Sequence, residues 1–337
     1  MGWYDVLEGG RVLCGLCRHG CRIPPGKTGR CGVRENRQGE LISRNHGRII
    51  ARQVDPIEKK PLHHILPGSL SYSIAAAGCN FQCRFCQNAS IAQLPLALGK
   101  GRPIPGEKMA PGDLVDAALC AGCQSLSYTY TEPTVFLETV VETARLAKSR
   151  GLLNIMVTNG YMGQRALPDI LAFIDGANVD LKSFNPDFYR RYCGAELAPV
   201  LDNLKALKGG GVWVEVTTLI IPGLNDDPGE LADLATFIVA ELGPDTPWHV
   251  SRFHPCHGVL DRGPTPVATL ERAVEIGRDR GLNFIYLGNV PGNGYEDTRC
   301  PSCQALLVAR TGYGIQNFIN TGGRCPSCAT RVPGIFA

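Results

Sequence analysis

The chain has 337 residues, 44% of them hydrophobic, enough for a large soluble core arranged as one barrel-sized domain with appendages or as two average domains. A formal net charge of +3 and a pI near 8.1 are too mild to imply a nucleic-acid partner, whose binding surface carries a strong, clustered basic excess. The opening "MGWYDVLEGG" has no basic region followed by an apolar core, and no run approaches the roughly 20 apolar residues of a membrane-crossing helix, so a cytoplasmic protein is expected.

Residues 1–69 are expected to form a cysteine-rich segment ending in the charged stretch "DPIEKKPLHH". Asp55, Glu58, Lys59 and Lys60 in that stretch either make a solvated loop before the first strand or line the open side of a barrel and meet substrate. From residue 70 to 295 short β-rich runs alternate with helical ones, the pattern of βα units around a parallel sheet. The predicted strands are "LSYSIAAAG", "QSLSYTYT", "LLNIMVT", "ANVDLK", "VWVEVTTLI", "WHVSRF" and "LNFIYLG". Between them, "PTVFLETVVETARLAKSRG" opens on Pro133, spaces its apolar residues at three and four, and closes on basic residues and Gly151, as a helix does; "PGELADLATFIVAELG" repeats the pattern. Polar residues fall at successive strand ends: Glu132, Asn159, Asp180 with Lys182, and Thr217 with Thr218. That is where a barrel places its chemistry. "GGG" at 209–211 and "PGNG" at 291–294 match neither the dinucleotide nor the P-loop spacing and read as turns. Residues 296–337 form a separate tail.

Fifteen cysteines are too many for a cytoplasmic chain without a use, and their odd number and clustering argue for metal rather than disulfides. In the tail, Cys300/Cys303 and Cys325/Cys328 form two CPSC pairs with the two-knuckle spacing of a zinc ribbon; an auxiliary iron–sulfur cluster is the second reading. Cys14, Cys17, Cys21 and Cys31, with gaps of two, three and nine residues, predict another metal site, zinc ahead of iron–sulfur, or ligands shared with the tail. Cys120, Cys123, Cys193 and Cys256 lie on or beside apolar elements and read as buried small hydrophobes.

The central group is different. "GCNFQCRFCQN" sets Cys79, Cys83 and Cys86 in a CxxxCxxC loop directly after the first predicted barrel strand. A cubane 4Fe-4S cluster has four irons, so three thiolates leave one iron free for another ligand. A closed zinc site fits less well, because zinc knuckles pair as CxxC. An open iron is able to chelate the amino and carboxylate groups of S-adenosylmethionine.

With Phe85 before the last cysteine, this loop resembles the signature of radical S-adenosylmethionine (radical SAM) enzymes. "VDPIEKKPLHHILPGS", "SYTYTEPTVF", "VTNGY", "VDLKSFN", "IPGLND" and "FIYLGNVPG" extend the resemblance to the AmmeMemoRadiSam-system group, relatives of pyruvate formate-lyase activating enzyme. The resemblance implies an α/β fold, a partial (βα)6 TIM-like barrel over about residues 70–295, with cluster and cofactor at the strand C-termini. "YTEP" stands where the family has GGEP, so its backbone and Glu132 would receive the cofactor's amino group, although Tyr130 and Thr131 replace the glycines. "VDLK" matches the family's DxK segment, making Asp180 and Lys182 binders of the methionine carboxylate or organisers of the site. Asn159 becomes a ribose or carboxylate contact, with Val157 where the activating enzymes have Asp; His254 or His249 would meet the adenosyl part. The implied chemistry is reductive cleavage of the cofactor to a 5'-deoxyadenosyl radical, with a flavodoxin or ferredoxin as electron donor. Its target is a glycyl-radical protein, or else a small metabolite, a peptide or the cofactor itself, with AMMECR- and Memo-type proteins as partners. A zinc- and iron-binding nucleic-acid module is the reading from another class.

Overall fold

The structure is a computed structural model and describes residues 2–99, 101–290, 292 and 294–336. Its centre is an eight-stranded sheet built from β1 (Ala51–Pro56), β2 (Leu70–Ala75), β3 (Ser125–Tyr128), β4 (Leu153–Thr158), β5 (Gly176–Asp180), β6 (Trp213–Ile220), β7 (Trp248–Arg252) and β8 (Ile285–Gly288). β2 to β8 run parallel in chain order, and β1 closes one edge antiparallel to β2. The crossovers are α1 (Pro111–Cys120), α2 (Leu137–Ser149), α3 (Leu167–Phe173), α4 (Ala198–Gly209), α5 (Pro228–Phe237) and α6 (Val267–Asp279). Six βα units followed by a seventh parallel strand match the parallel sheet that the alternating runs predict and the partial barrel that the family resemblance implies. Gly209 of "GGG" ends α4 and the other two glycines turn toward β6, while Pro291 and Asn293 of "PGNG" lie outside the described residues.

Each helix covers the sheet with one apolar face. In α2 the buried residues Leu137, Val140, Val141, Ala144 and Ala147 recur at helical spacing. The helix starts after a separate 3-10 turn, Pro133–Phe136, capped by the Glu132 carboxylate on the Thr134 amide. α6 lies close enough to the sheet that a Cβ on Gly277 would stand 2.6 Å from Ile285 Cδ1, which is why glycine occupies that helix position.

The strand faces turned away from the helices are polar. Ser71 and Ser127 bond to each other at 2.6 Å across β2 and β3, and Asp55 pairs in register with Ser71, which puts it on the same face. β1 comes from within residues 1–69, and apolar residues Trp3, Val12, Leu16, Ile23 and Val33 of that segment belong to the barrel's own core.

The N-terminal mouth of the barrel is plugged by Ile57, Leu62 and Ile65 against Ile155, with Ile335 of the tail beside them. The tail has its own small core of Cys300, Leu307, Val308, Cys325 and Val332 under β9 (Thr298–Arg299), β10 (Leu306–Thr311) and β11 (Gly314–Asn317).

Candidate functional site

The three-cysteine loop leaves the C-terminal end of β2 at Ala76. Gly78 makes its first turn at φ +120°, where a Cβ would come within 2.8 Å of Val33, so the N-terminal segment presses on the loop from outside. Backbone bonds from Gln82 N–H to Cys193 O (3.0 Å) and Arg84 N–H to Tyr192 O (2.9 Å) fasten it to the stretch after β5. Phe81 packs edge-on to Tyr161, and Phe85 lies 5.6 Å from Phe188. The aromatic residues between the cysteines are thus anchors that fix the loop.

Polar groups from three further strand ends meet this loop. Asn159, after β4, donates from Nδ2 to Asn80 Oδ1 at 2.7 Å, with the Cys79 sulfur 3.8 Å away. The Phe81 amide donates to Cys79 Sγ at 3.3 Å. Lys182, after β5, donates to Asp180 at 2.8 Å and lies over the Phe85 ring. Burial by itself would lower Lys182, but the charges of Asp180, Cys83 and Cys193 outweigh it and hold its pKa well above the usual value. Hydrogen bonding with Cys193 and the nearby Lys182 charge draw Cys83 below an ordinary thiol despite burial, while burial pushes Cys86 up to about 11. Three thiols, amide donors, a fixed cation and the partnerless buried Asn80 Nδ2 fit an anionic thiolate cluster.

Glu132 is buried and its carboxylate is fully engaged: Oε1 accepts from the Thr134 amide and hydroxyl and from the Thr158 hydroxyl, and Oε2 accepts from the Asn159 amide at 2.9 Å. It ties the end of β3 to the end of β4, with Oε2 accepting a single bond among the described residues. Tyr130 holds φ 62°, the left-handed conformation that glycine adopts freely, so the local turn survives the loss of the family's glycines. Its phenol reaches Asp55, and Asn88 Nδ2 takes its carbonyl at 2.8 Å.

Asp55 also accepts from Lys59 at 2.7 Å and from the buried Lys60 at 2.6 Å, and Lys60 lies over the Tyr130 ring. This cluster is on the inner face of the barrel. Glu58 instead accepts from the Gly68 amide, near Arg310 of the tail. Thr217 is buried with an unpartnered hydroxyl, whereas Thr218 bonds Leu181 O and the Trp248 indole.

The two histidines separate. His254 is exposed two residues beyond β7, at the cofactor end. His249 is buried lower on the strand and donates to Glu215 at 2.6 Å in a network with His63 and Tyr286, so it does not reach the loop. Among the cysteines read as buried hydrophobes, Cys123 and Cys193 are buried and Cys256 is half-buried on Phe85 O, but Cys120 is exposed. It ends α1 off the apolar stripe of Leu114, Val115 and Ala118. Asn80, Asn88 and Tyr130 carry no spacing signal of their own and emerge only from the loop geometry, and Cys193 emerges beside Cys83.

The remaining cysteines form two groups. Cys14, Cys17, Cys21 and Cys31 line one pocket together with His19, Arg34 and Asn80. In the tail the four sulfurs of Cys300, Cys303, Cys325 and Cys328 all lie within 4.8 Å of one another, a closed set fit for a tetrahedral ion.

A parallel βα barrel that offers three thiols on the loop after its first parallel strand is built for an iron–sulfur cluster with one iron left open. The radical SAM superfamily profile matches residues 73–235, and an uncharacterized protein of Methanocaldococcus jannaschii is 41% identical over 335 residues, covering 98% of this chain and 97% of its own. The chain belongs to the radical SAM superfamily. It is also similar to a probable GTP 3',8-cyclase of Thermococcus kodakarensis, 31% identical over 47% of this chain and 49% of that one. The pyruvate formate-lyase-activating enzyme of Clostridium pasteurianum is 25% identical over 48% of this chain and 66% of its own. The chain spans about a third to two-thirds of the length of the relatives with named activities. A radical SAM methyltransferase structure from Sphaerobacter thermophilus shares the fold with a TM-score of 0.50 at 18% identity, over 66% of this chain and 67% of that one.

Proposed function

We propose that this chain reductively cleaves S-adenosylmethionine at a 4Fe-4S cluster held by Cys79, Cys83 and Cys86, and uses the product radical on a small polar substrate within the barrel. The observation that carries the reading is the convergence of three thiols with Asn80, Asn159 and Lys182 at the strand ends. When bound, the cluster and cofactor supply a 5'-deoxyadenosyl radical after one electron arrives from a donor of the flavodoxin or ferredoxin class. The chain's own contribution is to hold the thiolates, to offer Lys182 to the methionine carboxylate, and to offer Asn159 and the exposed His254 to the ribose and adenosyl parts.

The polar inner face supports the substrate class. Thr217 Oγ1 and Asn178 Oδ1 are buried without protein partners, and the Asp55–Lys60–Tyr130 cluster lies on the same inner face. Unpaired buried groups of this kind are costly unless a ligand or water meets them. The motif resemblance to the AmmeMemoRadiSam-system group supports AMMECR- and Memo-type proteins as partners, while the two-knuckle spacing of the CPSC pairs favours zinc in the tail. Similarity to an activating enzyme supports a second reading, glycyl-radical formation on a partner protein.

The test is anaerobic reconstitution followed by reduction and product analysis. Wild type should release 5'-deoxyadenosine, and Cys83→Ala should abolish it and lose the central cluster while the tail metal remains. A reconstituted Cys83→Ala protein that cleaves the cofactor at the wild-type rate refutes the proposal. A glycyl-type radical signal on an added partner protein, with no conversion of small polar metabolites, would favour the second reading.

A further inference from the structure

The pocket at Cys14, Cys17, Cys21 and Cys31 borders the site described above at Asn80, and its sulfur spacing separates zinc from iron–sulfur. A zinc ion binds thiolates at about 2.3 Å, which sets tetrahedral ligand sulfurs about 3.8 Å apart. The tail obeys this: Cys300 and Cys328 are 3.6 Å apart, as are Cys303 and Cys325. In a cubane cluster each thiolate binds a different iron corner, so the ligand sulfurs stand well apart. Among the described residues, the tail is the one place where three or more cysteine sulfurs all lie within 4.8 Å of one another. The central trio does not meet that spacing, and neither does the N-terminal set, although its four cysteines face one pocket.

We infer that Cys14, Cys17, Cys21 and Cys31 bind a second 4Fe-4S cluster, closed by four thiolates, beside the central one. Arg34 lines the same pocket, is buried, and has an Nε–H with no acceptor in the protein, although its other nitrogens clamp Glu138 and the Val135 carbonyl. A cation so placed offsets the negative charge that four thiolates bring to an iron–sulfur core. The pocket also contains Asn80, whose carbonyl lies 2.9 Å from His19 Nε2 and which directly follows Cys79. One residue thus separates the two sulfur sets.

The experiment is iron, sulfide and zinc analysis with Mössbauer spectroscopy on the full chain carrying Cys79→Ala, Cys83→Ala and Cys86→Ala together, after anaerobic reconstitution. About four irons and four sulfides per chain should remain, with the spectrum of a 4Fe-4S centre, and adding Cys21→Ala should remove them. Two zinc ions and no iron, or one zinc and no iron, would overturn the inference. Loss of the remaining iron on adding Cys300→Ser would place the cluster in the tail and overturn it equally. If the Cys21→Ala protein fails to fold, the triple variant with Cys300→Ser added decides the matter: iron retained places the cluster at the N-terminal cysteines, and iron lost overturns the inference. None of these readouts depends on cofactor cleavage, so they stand apart from the test of the proposed activity.

Discussion

Lys182 keeps a full charge where little water reaches it: its side chain is 15% exposed, beside Asp180 and the Cys83 loop. Such a charge is stable only while paired, and Asp180 is the more exposed partner at 35%, so a ligand carboxylate has room to compete for the ammonium. Lys182→Met should weaken S-adenosylmethionine binding by at most about 3 kcal/mol, the range of a charge-assisted bond, with iron content unchanged. Anaerobic binding measurements that find wild-type affinity would assign Lys182 to holding Asp180 alone. The placement of the thiol trio and this lysine at one end of the barrel was legible in the sequence, because short spacings after successive strands set it. The hydrogen bonding of Glu132 was not, because its partners Thr134, Thr158 and Asn159 belong to different elements and meet only in the fold. His249 shows the same limit: the run "WHVSRFHP" marks a strand, but which of its histidines stands at the cofactor end depends on where the strand stops.

At the scale of elements, the seam between barrel and tail is a buried network. Glu215 on β6 accepts the His63 and His64 amides, the Trp213 indole and His249 Nε2. His64 reaches across to Pro333 O at 2.7 Å and to the Tyr286 hydroxyl, and Arg310 of β10 donates to His63 O. Burial lowers His64 to about 4 and His63 well below its ordinary value, so both are neutral in the folded protein. Between pH 6.5 and about 4 the unfolded chain binds protons that the folded chain refuses, and stability must fall as pH falls through that window. Burial opposes ionisation of Glu215, but His249 and the amide donors hold it below its usual value; its contribution is likewise lost on acidification. The His64 share amounts to about 3 kcal/mol. Denaturant melts from pH 7 to pH 5 should show a steeper loss for wild type than for His64→Gln, and parallel curves would remove His64 from the account. The parallel strands and their helices were readable as alternating runs. The antiparallel β1 was not, since "ARQVDP" lacks an apolar pattern and half its side chains face the polar interior.

The whole molecule separates chemistry from closure. The thiol trio and the polar strand ends occupy the C-terminal side of the sheet, while the tail seals the N-terminal mouth through Ile335, whose amide and carbonyl pair with His64 O and the Leu66 amide at 2.8 Å. That placement argues that a metal held by the four tail cysteines would serve folding. A closed set of four thiolates leaves no position for substrate, and such sites contribute their binding energy to the folded state. Among the described residues the tail's own core is five buried residues, two of them cysteines of the four-sulfur set, too small to hold three short strands without a bound ion. The variants Cys300→Ser and Cys325→Ser should therefore lose about one zinc per chain and expose the tail to limited proteolysis, with iron content and 5'-deoxyadenosine release preserved. Because Arg310 and Ile335 also brace the barrel mouth, the loosened tail should lower the melting temperature of the whole chain rather than of a detached segment. If the variants instead shed about four irons, or keep the central cluster but lose its reduction by the electron donor, the tail is a redox centre and its position at the barrel floor must be reconsidered as an electron inlet.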